Sequence, residues 1–285
     1  MLEMVWQYDP TQRIAQVKPA TFDAARSILE AGNHEFANFL NAISQAQSNV
    51  RKVLHVSAAD IGLSDVPGQP LQQAPFAAVL SCADARVPVE LIFDQHANDL
   101  FVVRVAGNIP GAECLGSLHY AVAHMGSIRL LAVVGHTGCG GITAAVDAYL
   151  SPSSYMTVAA NPALRSIVDG AMAAVRAATD AFDDVHGRTA SQRTGYRAAL
   201  IELAVILHAA VTASVLEHTF RDAIGEQLGV VYGVYNLGNH RVGLPTEQRG
   251  GDHWQSGLFA PFNEPDGLVA LSRRLVQSPF IEDRL

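Results

Sequence analysis

The sequence predicts an α/β fold: a mainly parallel sheet flanked by helices, with an N-terminal helical arm and an edge strand near the C-terminus. Three observations predict it. Short, almost continuous apolar runs recur as FAAVLS at 76–81, LFVVRV at 100–105 and IRLLAVVG at 128–135, the pattern of strands buried on both faces. Segments with helical spacing alternate with them, as in βαβ units. A glycine-rich turn, GHTGCGG, closes the third run and opens a helix.

In chain order, Thr21 can cap a helix over TFDAARSILEAG, with Ala24, Ile28 and Leu29 at helical spacing and Gly32 as its stop. A second helix over NHEFANFLNAISQA places Phe36, Phe39, Leu40 and Ile43 on one stripe, so the pair reads as an amphipathic hairpin or arm. ADIGLSDVPGQPLQQAP, at 59–75, is rich in turn formers and reads as a loop. Between the second and third strands, ECLGSLHYAVAHMG spaces Leu115, Leu118, Val122 and Met125 for a helix packed on the sheet, and ITAAVDAYL continues the glycine turn as another.

Residues 161–226 read as largely helical with a break near His186 to Thr194, and VVYGVYNL at 230–237 alternates like a further strand at the sheet edge. RGGDHWQSGLFAPFNEPDG carries several breakers before a short terminal helix, LVALSRRLVQ. The expected organisation is one domain over 1–285, with an arm at 1–50, an α/β core at 73–243 and a C-terminal extension at 244–285.

Composition narrows the function classes. Of 285 residues, 49% are apolar and 16% charged, and the mean hydropathy is +0.17, which excludes disorder as the dominant state. Lys and Arg number 19 against 27 Asp and Glu, a net charge of −8 without a basic run, so neither nucleic acid nor an anionic membrane is an expected partner. Three cysteines, Cys82, Cys114 and Cys139, are too few for a disulfide framework. The N-terminus shows no apolar signal-peptide region, and the expected compartment is cytoplasmic. AALIELAVILHAAVTASVL, at 198–216, approaches the length of a membrane span, but it carries Glu202, His208 and many small alanines, so it reads as a buried helix of the core or a subunit interface.

The glycine turn is not a phosphate loop: Gly135 and Gly140 have the spacing, but Gly141 and Ile142 stand where Lys and Ser or Thr would hold phosphate and magnesium. A dinucleotide fingerprint fails as well, with Thr143 at the third small position. What remains is a soft-metal pattern split between two strand ends, Cys82 after the first run and His136 with Cys139 after the third. In a parallel sheet both ends lie at the carboxyl edge, where neighbouring strands bring residues together. Two thiolates and one imidazole suit zinc and leave a fourth tetrahedral position open, as catalytic sites do. A closed structural site would need Cys114 or a distant histidine as fourth ligand, and Cys114, alone on its predicted helix, reads as a small core hydrophobe. In Cys82-Ala83-Asp84-Ala85-Arg86, Asp84 can reach the open position and Arg86 can hold it by a bidentate contact.

C-x-D-x-R, followed fifty residues later by H-x-x-C-G, resembles the β-class carbonic anhydrases, zinc enzymes of a parallel-sheet α/β fold. LEAGNHEF, FVVRVAGN, SLHYAVAHMG and VVYGVYNLGNHRVGL are similar to further segments of that family. The resemblance implies Cys82, His136 and Cys139 as ligands of one zinc per chain and Asp84 with Arg86 as a catalytic dyad. It implies a substrate hydrogen bond from Gln73, nine residues before the first ligand, and a pocket lined by Phe101 and Tyr120.

Three departures stand out. Tyr120 is one residue farther from His136 than the family spacing, Val105 replaces a common Asn, and Val79 replaces the Trp of the bicarbonate-inhibited subgroup, so the chain resembles the subgroup with a permanently open zinc. The implied activity is reversible hydration of carbon dioxide to bicarbonate and a proton. Carbonyl sulfide or carbon disulfide hydrolysis on the same zinc site is the alternative, and a non-enzymatic zinc- or bicarbonate-binding regulatory protein is a further one. The implied assembly is a homodimer or an assembly of dimers.

Overall fold

Strands apolar on both faces need a cover on each, and the structure, a computed structural model, supplies it. It describes residues 2–8, 18–45, 50–64, 66, 68–225, 227–249 and 253–285. Strand β1 (Leu2–Tyr8), helix α1 (Phe22–Gln45) and β2 (Val50–Val56) come first, with β1 and β2 paired as a separate parallel sheet. The main sheet is built from β3 (Ala77–Ser81), β4 (Leu100–Arg104), β5 (Leu130–His136), β6 (Gly229–Tyr235), β7 (Val242–Pro245) and β8 (Trp254–Ser256), in the spatial order β4-β3-β5-β6-β7-β8. The first four are mutually parallel, while β7 and β8 add on antiparallel.

The period of two divides the side chains between two cores. Ala77, Val79, Leu130, Ala132 and Val134 meet Ala25 and Leu29 of α1, together with Val89 and Ile92 of the short helix α2 (Val89–Ile92). Ala78, Leu80, Leu131 and Val133 face the larger cluster, contributed by α3 (Ala112–His124), α4 (Gly140–Leu150), α6 (Pro162–His186) and α7 (Tyr196–Thr219). Helix α5 (Pro152–Ala159) bridges α4 and α6, and α8 (Pro265–Val276) with α9 (Pro279–Glu282) ends the chain against α7.

Three sequence expectations are corrected. The N-terminal hairpin is a single helix, α1, running through Gly32. That glycine is there for close approach: a Cβ on it would lie 1.8 Å from the Phe93 carbonyl oxygen. Its neighbour Asn33 is buried, donates to the carbonyls of Ile92 and His240 and accepts from the Val242 amide, clamping α1 to both ends of the core. The arm also contains strand β1, with β2 starting at its last residue, and its residues 1, 9–17 and 46–49 lie outside the described residues. Finally, the strand over 230–237 is not the sheet edge, because β6 pairs with both β5 and β7 and β8 occupies that edge. The long apolar helix α7 packs on β5, β6 and α6, with 78% of its most apolar stretch buried inside the protein.

Gly32→Ala is expected to destabilise the fold by about 1–3 kcal/mol, because the rigid Phe93 backbone must move to admit a methyl group. Gly116→Ala on α3, where a Cβ would meet nothing within 4 Å, is expected to be neutral or stabilising by about 0.5–1 kcal/mol. Urea unfolding of the two variants checks the contrast.

The chain leaves β3 over the α2 face toward β4, and leaves β5 over the opposite face toward β6. Ligand crevices of parallel sheets form where successive connections diverge in this way. Register pairs Ser81 with Val134, so the residues that follow them emerge side by side at the carboxyl edge.

Candidate metal centre

Cys82 follows β3, His136 is the last residue of β5, and Cys139 caps α4. The turn joining the last two passes through Gly138 at φ +64°, a left-handed conformation costly for other residues. Thr137 anchors this turn to the end of β6, its amide donating to the Tyr235 carbonyl and its Oγ1 accepting from the Leu237 amide. The outcome is a buried group in which one donor atom from each of Cys82, His136 and Cys139 lies within 4.8 Å of the others.

The two sulfurs are 3.9 Å apart and both cysteines are free. His136 is fully buried; its Nδ1 donates to the Thr137 carbonyl at 3.0 Å, which assigns the proton to Nδ1 and leaves the Nε2 lone pair available. Nε2 is buried with no hydrogen-bond partner among the described residues. An orphaned imidazole nitrogen beside two thiols is a donor set that fits a soft divalent metal.

Electrostatics point the same way. The Cys82 thiol is held down to about 4, first by the hydrogen bond from Cys139 and then by His136 and the amides of Asp84 and Gly107, against the cost of burial. Gly107 N lies 3.4 Å from the Cys82 sulfur. Cys139 is pushed up by its bond to Cys82 and by burial, so without a cation the pair favours a single thiolate. A divalent ion relieves that repulsion and lets both ionise.

Asp84 and Arg86 sit at the rim. Arg86 Nε reaches Asp84 Oδ1 at 3.0 Å and its terminal nitrogen reaches Oδ2 at 2.7 Å, while the Arg86 amide also donates to Oδ1. This clamp holds the Asp84 carboxyl well below the usual carboxylate range. Oδ2 lies 3.8 Å from His136 Nε2, so the carboxylate faces the donor group. Cys114 sits on α3 against the larger core, outside the converging donors.

The other expected site residues are more dispersed. Phe101 is on the same sheet face as Cys82, but its register partner is Ala78, four residues earlier and about 13 Å down the strand. Val105 is the residue level with Cys82, its amide donating to Ser81 and its carbonyl accepting from Ala83. Val79 points to the opposite, α1-facing side. Gln73 is exposed before β3, and Tyr120 is 56% exposed, its ring tilted against that of His124.

A family model for carbonic anhydrase matches residues 77–242. The chain belongs to the β-class carbonic anhydrase family. It is 46% identical over 76 residues to carbonic anhydrase 2 of Mycobacterium tuberculosis, covering 27% of this chain and 36% of that protein. It is 35% identical over 100 residues to the carbonic anhydrase of Emericella nidulans, covering 34% and 41%. The matched segment thus spans about a third of the mycobacterial relative's length. Among solved structures, the chain is similar to a tetrameric β-carbonic anhydrase of Sordaria macrospora at 25% identity and a TM-score of 0.44, over 60% of this chain and 80% of that one.

Three residues around this donor group went unnamed by the motifs. Arg104, at the end of β4, donates from Nε to the Cys82 carbonyl at 2.9 Å and also to the Asp84 carbonyl, bracing the segment between ligand and dyad. Glu202 Oε2 accepts from the Gly138 amide at 3.3 Å, and burial raises its carboxyl. His208 lies six residues further along α7, almost fully buried, and burial lowers it to about 4 against a weaker pull from the Gly107 backbone. The signal was present: each is a polar residue inside an otherwise apolar run.

His208 has a consequence for stability. Neutral in the folded protein down to about pH 4, it takes up a proton in the unfolded chain below about 6.5. The unfolded state therefore binds more protons between those values, and stability falls as pH drops through that window, by roughly 3 kcal/mol from this group. Urea unfolding of wild type and His208→Leu at pH 7 and pH 4.5 should show the variant losing less on acidification. Equal losses would remove this account.

Proposed function

We propose that this chain catalyses the reversible hydration of carbon dioxide to bicarbonate and a proton, with one zinc held by Cys82, His136 and Cys139. The observation that carries this reading is the orphaned His136 Nε2, facing two sulfurs and a carboxylate already clamped by Arg86. Zinc bound there supplies a Lewis acid that makes water a nucleophile near neutral pH. Asp84 accepts a hydrogen bond from the attacking group and orients it, Arg86 keeps Asp84 ionised and in place, and Arg104 holds the backbone between Cys82 and Asp84. We assign Gln73 to steering a substrate oxygen and Phe101 and Tyr120 to the apolar wall. The exposure of Gln73 and Tyr120 on the single chain supports an assembly, a homodimer or an assembly of dimers, in which a second copy closes the pocket. The free Cys82 and Cys139 fit a reducing, cytoplasmic compartment.

The pairing of Asp84 with Arg86 supports a permanently open zinc. Bicarbonate is then expected to inhibit without cooperativity. Cooperative inhibition would assign the site to the kind in which Asp84 leaves Arg86 and closes the metal.

Stopped-flow hydration of carbon dioxide by the purified protein, with zinc content measured on the same sample, tests the proposal. Rapid hydration proportional to zinc is the expected result. Turnover of carbonyl sulfide or carbon disulfide with negligible carbon dioxide hydration would reassign the substrate, and zinc binding without turnover of any of the three would leave a binding protein.

A further inference from the structure

Beyond the Cys82, His136 and Cys139 group, one other set of donors converges among the described residues: Asp60, His96 and Asp99, with one ligand atom from each within 4.8 Å of the others. Asp60 lies on the turn after β2 and is 3% exposed, and Asp99 precedes β4 and is 7% exposed. Asp60 Oδ2 accepts from the Ser57 amide at 2.7 Å, whereas its Oδ1 is buried with no hydrogen-bond partner. A buried carboxylate oxygen left without a donor is costly unless a cation satisfies it.

Asp99 is partly compensated. Its Oδ1 accepts from Lys18 Nζ at 2.5 Å, and its Oδ2 accepts from the His96 amide at 3.0 Å and lies 3.7 Å from His96 Nδ1. Two carboxylates against one ammonium attract a further positive charge, and they raise the pKa of the His96 imidazole beside them.

We propose that Asp60, His96 and Asp99 bind a second divalent transition-metal cation. The donor set, two oxygens and one nitrogen, is harder than the two sulfurs and one nitrogen of the first centre, and it takes zinc, cobalt or manganese. The site is a staple. Asp60 follows β2, while His96 and Asp99 belong to the turn that enters β4, the strand next to β3. The same two segments are joined by the Ala97 amide donating to the Asp60 carbonyl and by Lys52 of β2 with Asp94 at 2.7 Å, and Trp6 of β1 makes a T-shaped contact with the His96 ring. A two-stranded sheet is marginal alone, so a cation shared by Asp60, His96 and Asp99 anchors β1 and β2 to the main sheet.

The test is a zinc count on the full chain. Zinc-loaded protein is titrated with zinc chloride by calorimetry, and bound metal is measured after gel filtration. About two zinc per chain are expected in wild type and about one in Asp60→Asn and in His96→Gln. Cys82→Ser is expected to lose the first site and keep the second, which separates failure of this proposal from failure of the catalytic reading. Added zinc should slow proteolytic cleavage ahead of residue 77 in wild type but not in Asp60→Asn. Asp60→Asn keeps the acceptor for Ser57 and carries the test alone if His96→Gln does not fold. A wild-type count of one, with His96 protonated between the carboxylates instead, overturns the proposal, as does a second equivalent that survives both variants.

Discussion

Cys82→Ser, His136→Ala and Cys139→Ser are each expected to lose the zinc of the first centre and hydration activity together, down to the uncatalysed background. Each removes one of the three donors that converge at that centre, and a serine hydroxyl, protonated at neutral pH, does not replace a thiolate toward a soft ion. The three changes are not equivalent in the metal-free protein. Cys82 is the member of the pair that ionises first, so its removal leaves Cys139 without the thiolate that pushes it up. Cys114→Ser is the control and is expected to retain about one zinc at the first centre and full activity, since Cys114 packs against the core away from the donors. Elemental analysis and stopped-flow hydration on each variant decide the matter. Loss of zinc in Cys114→Ser would turn the centre into a closed four-ligand structural site.

Asp84→Asn is expected to keep the fold and the zinc but lose about 10²- to 10⁴-fold in hydration rate. The carboxylate accepts from Arg86 at both oxygens, and an amide offers only one acceptor. Its NH2 group would either oppose the Arg86 donors or turn toward the metal and present hydrogens where an acceptor is needed. Arg86→Ala is expected to reduce activity by releasing the carboxylate from its clamp. Zinc content unchanged with near-wild-type hydration in Asp84→Asn would remove Asp84 from the mechanism.

The parallel core and the donor types are both legible in the sequence. FAAVLS, LFVVRV and IRLLAVVG read as strands because residues buried on both faces have no polar alternation, and β3, β4 and β5 fall within one or two residues of those runs. By local rules Gly32 is a helix stop, because glycine usually ends helices, yet it marks the point where α1 touches the Phe93 backbone. Local spacing carries no information about a neighbour sixty residues away. The same limit hid β1 and β2, whose pairing joins segments more than forty residues apart.

By itself, then, the sequence determined what repeats at short range: the two periodicities, the soft ligand types, and Asp84 and Arg86 close enough along the chain to form their ion pair locally. Tertiary structure alone decided which of those donors meet. It brought Cys82 and His136 together through the β3–β5 register, tied Glu202 of α7 to the Gly138 amide, and set Asp60 against His96 and Asp99. Hydrophobic burial is non-directional; it drives collapse without specifying partners. The directional sheet hydrogen bonds, fixed only when strands pair, choose which side chains share an edge.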